Sequence, residues 1–303
     1  MRQAFCQSLV AEAGRPEFVF LTGDLGFMAL EPLREALGDR FLNGGVAEQN
    51  LVSVAAGLAR AGMRPWVYSI APFLYARSFE QVRNDVCLHD LPVVLVGNGG
   101  GYGYGVMGAT HHALEDYGVL LTLPHLRAYV PAFDGDVRAQ VRALFAGRSP
   151  AYLRLGLSEE PPGAALPPYA PWRKLLDGGA ATVVVIGPLV GGLLAAARGL
   201  AHDRRPDLWL VSELPVARPP QEFLADLRRS DSLVVVEEHV AQGGGGSMLA
   251  RLLLEAGAAP RRFACRTAQG YVSGLYGSQK FHRRESGLDP DSLLDLLTGT
   301  DPV

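Results

Sequence analysis

Gly44-Gly45-Val46-Ala47-Glu48-Gln49-Asn50-Leu51-Val52 carries the chain out of a glycine turn and into a helix. Over 48–61 apolar side chains recur at helical spacing, with Leu51, Val54, Ala55 and Leu58 on one face, and Gly62 supplies the C-terminal stop. Upstream, Phe18-Val19-Phe20-Leu21 reads as a strand ending at Thr22-Gly23-Asp24. Downstream, 65–70 reads as a strand, 78–87 as a helix burying Phe79, Val82 and Val86, and 91–96 as an interior strand apolar throughout. Strands alternating with amphipathic segments in this order predict a parallel sheet with crossover helices. The pattern then continues with a strand over 128–131, a helix over 134–145 and a closing strand over 151–155.

A second α/β unit follows a break in composition. Between Ser158 and Trp172 five prolines favour an extended connection. Beyond it strands are predicted over 181–186, 208–211 and 232–237, and helices over 193–201, 221–228 and 248–255. The chain therefore reads as an α/β protein of two three-layer domains, 1–157 and a smaller 173–303, joined by a linker at 158–172. A length of 303 residues suits about two domains at roughly 150 residues each.

Composition removes several classes. Hydrophobic residues make up 48% and charged ones 19%, too apolar for a disordered chain. A net charge of −3 with no long block of one sign gives nothing to track a phosphate backbone or an anionic membrane. Cys6, Cys87 and Cys265 lie far apart and form no CxxC pair, so neither a zinc ribbon nor a disulfide framework is expected, and a reducing cytosol fits. The longest apolar stretch, 183–197, is broken by Gly187-Pro188 and Gly191-Gly192, so neither membrane nor signal segment is expected.

Chemistry concentrates in a few places. Glu48 stands at a helix start in an apolar setting, where burial raises a carboxyl pKa and the helix dipole lowers it; it is either a plain cap or a ligand-facing acid. Seven glycines fall between Gly97 and Gly108, a density that brings backbone close to something or imposes positive φ. That loop ends at Thr110-His111-His112, histidines able to transfer protons near neutral pH or simply exposed. It lacks both a P-loop ending and a clean GxGxxG. Phe73 follows a strand and is either core or a stacking surface. Glu237-Glu238-His239 alternate faces along a strand and cannot converge on a metal.

Gly45-Val46-Ala47-Glu48-Gln49-Asn50, Ala55-Ala56-Gly57-Leu58-Ala59, Leu91-Pro92-Val93-Val94 and Gly108-Ala109-Thr110-His111-His112, in that order, resemble the thiamine-diphosphate enzymes of the transketolase family. Val236-Glu237-Glu238-His239 and Tyr276-Gly277-Ser278-Gln279 resemble stretches of deoxyxylulose-phosphate synthase. The resemblance implies that 1–157 is a pyrimidine-binding domain and 173–303 a transketolase C-terminal-type domain. It implies that Glu48 hydrogen-bonds the coenzyme's aminopyrimidine, that Phe73 stacks on that ring, that Asp24 and Leu25 lie beside it, and that His111 handles protons on substrate oxygens. His112, Met107 and Arg154 fall on the substrate side.

The family's Gly-Asp-Gly motif for Mg²⁺ does not occur in the sequence. Neutralising two phosphates needs a cation and fixed donors, so the resemblance implies a β subunit that works with an α subunit carrying that motif, as an α2β2 heterotetramer. Met107 replaces the family's sugar-binding Asp, and Met28, Gly99 and Leu157 stand where transketolases grip a sugar phosphate with Ser, His and Arg. Arg2 and Arg154 remain as anion contacts. The resemblance thus points to transfer of a two-carbon ketol or acyl unit to an atypical or unphosphorylated acceptor. The competing readings are the β subunit of a 2-oxo-acid dehydrogenase E1, acting on a keto acid with lipoamide as acceptor, and a non-catalytic binding subunit of the same fold.

Overall fold

The computed structural model describes residues 1–157 and 159–298. Ser158, where the proline-rich connection is expected to begin, and 299–303, the end of the expected second domain, lie outside the described residues. Six strands of the first sheet follow one another in the chain: β1 (Phe18–Thr22), β2 (Phe41–Asn43), β3 (Arg64–Ile70), β4 (Val94–Asn98), β5 (Arg127–Tyr129) and β6 (Ala151–Leu155). The second sheet holds β7 (Trp172–Leu176), β8 (Thr182–Ile186), β9 (Asp207–Val211), β11 (Ser232–Glu237) and β12 (Arg262–Arg266), while β10 (Glu213–Leu214) returns to the first.

The first sheet runs β10-β5-β6-β4-β3-β1-β2 and is parallel except where β10 pairs antiparallel with β5. The second runs β12-β11-β8-β9-β7, with β7 antiparallel to β9. Every residue of β1, β6, β8 and β9 is buried, as expected for strands covered by helices on both faces. This is the expected α/β architecture. The helix over Glu48–Arg60 packs Leu51, Val52, Ala55 and Ala56 against the sheet. Val54, expected on that inner face, is 41% exposed, because the stripe is rotated toward Val52 and Ala56.

Two expectations shift. The segment over 78–87 is a short helix at Phe79–Gln81 followed by a π-helical turn at Val82–Cys87. The helix expected over 193–201 lies at Leu189–Ala197, since Gly191, a break by residue type, sits inside it where the Glu159 backbone presses close. Strand β10 also ties the second half of the chain into the first sheet. Among the described residues no helix is long and apolar enough to cross a membrane.

Strand β1 has β2 on one side and β3 on the other, so the direction of winding reverses there. At such a switch point the loops leaving the carboxyl ends of the strands part and open a crevice, the usual ligand site of an open α/β sheet. The residues singled out by sequence leave from these ends: Asp24 after β1, Glu48 after β2, Phe73 after β3 and His111 after β4.

Candidate active site at the sheet switch point

Glu48 opens its helix and is 1% exposed. The Ser69 hydroxyl on β3 donates to its Oε1 at 3.2 Å, and Arg77 donates to its Oε2 at 2.6 Å. Gly23 passes alongside: a Cβ there would lie 3.8 Å from Glu48 Oε1 and 3.1 Å from the Gly45 carbonyl oxygen. Asp24, exposed and at φ +58°, exchanges hydrogen bonds with Asn43, whose Oδ1 accepts from the Asp24 amide at 3.0 Å and whose Nδ2 donates to Asp24 Oδ1 at 3.1 Å. Half-buried Leu25 accepts the Thr22 hydroxyl at its carbonyl. The turn is thereby fixed beside Glu48.

Phe73 is half-buried in the helix Ala71–Tyr75. The Arg77 guanidinium lies over its ring, 4.4 Å from the centroid, and His111 meets the same ring edge-on at 5.2 Å. Thr110 Oγ1 engages His111 Nδ1 at 2.9 Å, which leaves Nε2 as the nitrogen for proton exchange. Tyr104 tilts against His111 at 5.8 Å and accepts from Asn98 Nδ2 at 2.7 Å, with burial pushing its hydroxyl pKa up. Arg77 thus links buried Glu48 to the Phe73 ring, and His111 meets that ring at its edge, so the three residues belong to one chain of contacts.

Other expected residues sit elsewhere. Arg154 is 4% exposed and spent within the chain: Nε donates to Asp116 Oδ2 at 2.8 Å, and Nη2 donates to the carbonyls of Ala113 at 2.7 Å and Glu238 at 3.0 Å. Burial alone would weaken its hold on the proton, but Asp116 outweighs that and raises its pKa. The expectation of an anion contact is corrected accordingly. His112 is 4% exposed, with Nε2 bonded to the Gly105 carbonyl at 2.8 Å and Nδ1 to the Tyr271 hydroxyl at 2.9 Å, so it joins the halves of the chain and is not free for substrate. Burial holds its pKa below the ordinary value. Met107 is 54% exposed, next to Val106 at 72%. Arg2 is exposed.

The glycine loop approaches this chain's own side chains. A Cβ at Gly100 would meet Arg154 Nε at 2.4 Å, and one at Gly101 would meet the Glu238 carboxylate at 2.7 Å. Glu238 also accepts the Tyr102 amide, Gln279 Nε2 and the Arg283 guanidinium. The second half of the chain thereby braces the loop that carries His111. Arg77 and Ser69 are the site residues that sequence reasoning missed. Arg77 stands four residues after Phe73, a spacing that reads equally well as an ordinary exposed cation. Among the described residues no cluster of three or more His, Cys, Asp or Glu could hold a metal ion.

Comparison with known proteins gives this geometry a family. The model of the transketolase pyrimidine-binding domain matches residues 1–159. The chain belongs to the transketolase family. One of the subunits of an apulose-4-phosphate transketolase, that of Actinobacillus succinogenes, is 32% identical over 278 residues, covering 88% of this chain and 86% of that one. The 1-deoxy-D-xylulose-5-phosphate synthase of Myxococcus xanthus is 33% identical over 283 residues, but this chain spans only 47% of its length. Among solved structures, a split-gene transketolase described as an inactive β4 tetramer superposes with a TM-score of 0.80 at 28% identity, covering 98% of this chain and 97% of that one. Transketolase from Leishmania mexicana, at TM-score 0.77 and 19% identity, shares the fold, with this chain covering 46% of it.

Proposed function

We propose that this chain is the pyrimidine-side β subunit of a two-component thiamine-diphosphate enzyme that transfers a two-carbon ketol or acyl unit. The convergence of buried Glu48, the Phe73 ring and His111 at the switch point carries the reading. The residues fit an aminopyrimidine: a buried carboxyl group, a flat apolar face, and a backbone at Gly23 with no side chain to obstruct the ring. When bound, the coenzyme supplies the electron sink for carbon–carbon bond cleavage and formation. Glu48 would hydrogen-bond the pyrimidine ring nitrogen through its carboxyl group, in a buried setting where that bond is strong. Phe73 orients the ring, with Asp24 and Leu25 alongside it, and His111 Nε2 gives and takes the proton on the substrate's oxygen.

The Mg²⁺ and diphosphate contacts belong on an α subunit carrying the Gly-Asp-Gly motif, assembled as α2β2. Val46, 76% exposed, and Val54 offer part of an apolar face for that contact. A relative whose β chains alone form an inactive tetramer supports this dependence. We place the enzyme in the cytoplasm, consistent with three free thiols.

For the acceptor, we infer an atypical or unphosphorylated molecule. Arg154 is spent inside, Met107 stands where the resemblance expects a sugar-hydroxyl contact, and Met28, Gly99 and Leu157 stand where it expects sugar-phosphate contacts. Each missing charge-assisted contact is worth about 1.5–3 kcal/mol. The test is two-carbon transfer by the assembled pair, followed by mass spectrometry of products. With one fixed ketol donor, comparable kcat/KM on phosphorylated and unphosphorylated aldose acceptors supports this reading, strong preference for the phosphorylated acceptor refutes the acceptor assignment, and turnover by the isolated chain refutes the split arrangement. Acyl transfer from pyruvate to a lipoyl domain instead would move the enzyme to the 2-oxo-acid dehydrogenase class.

A further inference from the structure

Among the described residues Arg77 is the one cation in direct contact with both halves of the proposed ring site. Its Nη1 donates to Glu48 Oε2 at 2.6 Å while its guanidinium lies 4.4 Å above the Phe73 ring. A guanidinium is flat, stacks on aromatic faces and donates in its own plane. An aminopyrimidine that bonds Glu48 and stacks on Phe73 needs the same two surfaces. Both cannot hold them at once.

Arg77 is also free to leave. It lies in a turn between the helices Ala71–Tyr75 and Phe79–Gln81, its side chain is 42% exposed, and among the described residues Glu48 is the one carboxylate it pairs with. While it is in place, a buried carboxylate has a partner that an empty crevice would deny it, and an unpaired buried charge is costly.

We propose that Arg77 is a built-in stand-in for the coenzyme ring, filling the Glu48 and Phe73 contacts while the site is without coenzyme and swinging into solvent when the coenzyme enters. This rests on the coenzyme reading above. The closed arrangement lowers apparent coenzyme affinity by the fraction of molecules in which the site is open. Arg77 is then a positioning residue that keeps the acid satisfied until the coenzyme enters.

The experiment is calorimetric titration of thiamine diphosphate with Mg²⁺ into the assembled pair, for wild type, R77M and R77K. Removing the competitor should tighten binding about tenfold in R77M, equivalent to about 1.4 kcal/mol. R77K keeps a charge for Glu48 but has no flat face for Phe73, and should fall between R77M and wild type. A residue that merely supports the pocket would shift affinity the other way, so unchanged or weaker binding in R77M overturns the proposal. If R77M does not assemble, R77K decides by the same direction. Magnesium pyrophosphate, which has no ring, should bind all three pairs equally, and tightening of that probe too would place the effect away from the ring and overturn the proposal. If wild type and both variants all fail to bind the coenzyme, the coenzyme reading falls and this proposal falls with it.

Discussion

Replacing Arg154 with methionine should destabilise the folded chain by about 3–5 kcal/mol, the usual cost of removing one partner from a buried ion pair. Arg154 is 4% exposed and Asp116 is wholly buried. Without the guanidinium, Asp116 keeps the Tyr152 hydroxyl at 2.7 Å, and the carbonyls of Ala113 and Glu238 each lose a donor. A typical domain has only about 5–15 kcal/mol in hand, so urea unfolding followed by tryptophan fluorescence should show a much lower midpoint. The double variant D116N/R154M removes the stranded charge and should recover about 0.5–3 kcal/mol relative to additive losses. The reasoning is refuted if R154M costs less than about 1 kcal/mol, the range of an exposed pair, and instead raises KM for an anionic substrate.

F73A in the assembled pair should weaken coenzyme binding by about 1–3 kcal/mol, roughly 5- to 150-fold in Kd, the range seen when a stacking aromatic is truncated; calorimetry checks it, and an unchanged Kd would remove Phe73 from the site. H111N should lower kcat about 10²- to 10⁴-fold with coenzyme affinity unchanged, as for loss of a general acid and base; loss of affinity instead would make His111 a binding residue. Burial holds His112, His239 and His282 below their ordinary value of 6.5, so the unfolded chain binds more protons than the folded one as pH drops below 6.5. The urea midpoint should therefore be lower at pH 5.5 than at pH 7.5, with a smaller difference in H112Q, and a higher midpoint at the acidic pH would contradict the assignment.

Much of this is legible because the parallel sheet writes itself as apolar runs. β1, β6 and β11 begin and end within a residue of where those runs do, and the helix after Gly44-Gly45 starts at Glu48 as its spacing predicts. Glu48, Phe73 and His111 can be picked from local pattern and resemblance because each leaves the carboxyl end of a neighbouring strand. What stays hidden depends on residues far apart in the chain. Nothing near Arg154 in sequence shows that Asp116 and the Glu238 carbonyl consume it, and nothing near His112 shows Tyr271. Gly191 reads as a break because its reason, the close passage of Glu159, comes from a distant segment. The pairing of β10 with β5 joins residues 213 and 129, beyond the reach of any periodicity.

The central claim is that half of a thiamine site is built here around Glu48. It is tested most directly by titrating thiamine diphosphate and Mg²⁺ into this chain alone, its partner alone and the assembled pair, each with wild-type Glu48 and with E48A in this chain. Saturable binding should appear in the wild-type pair and collapse in the E48A pair, with neither component alone matching that affinity; full affinity in this chain by itself, or an E48A pair that binds like wild type, would contradict the account.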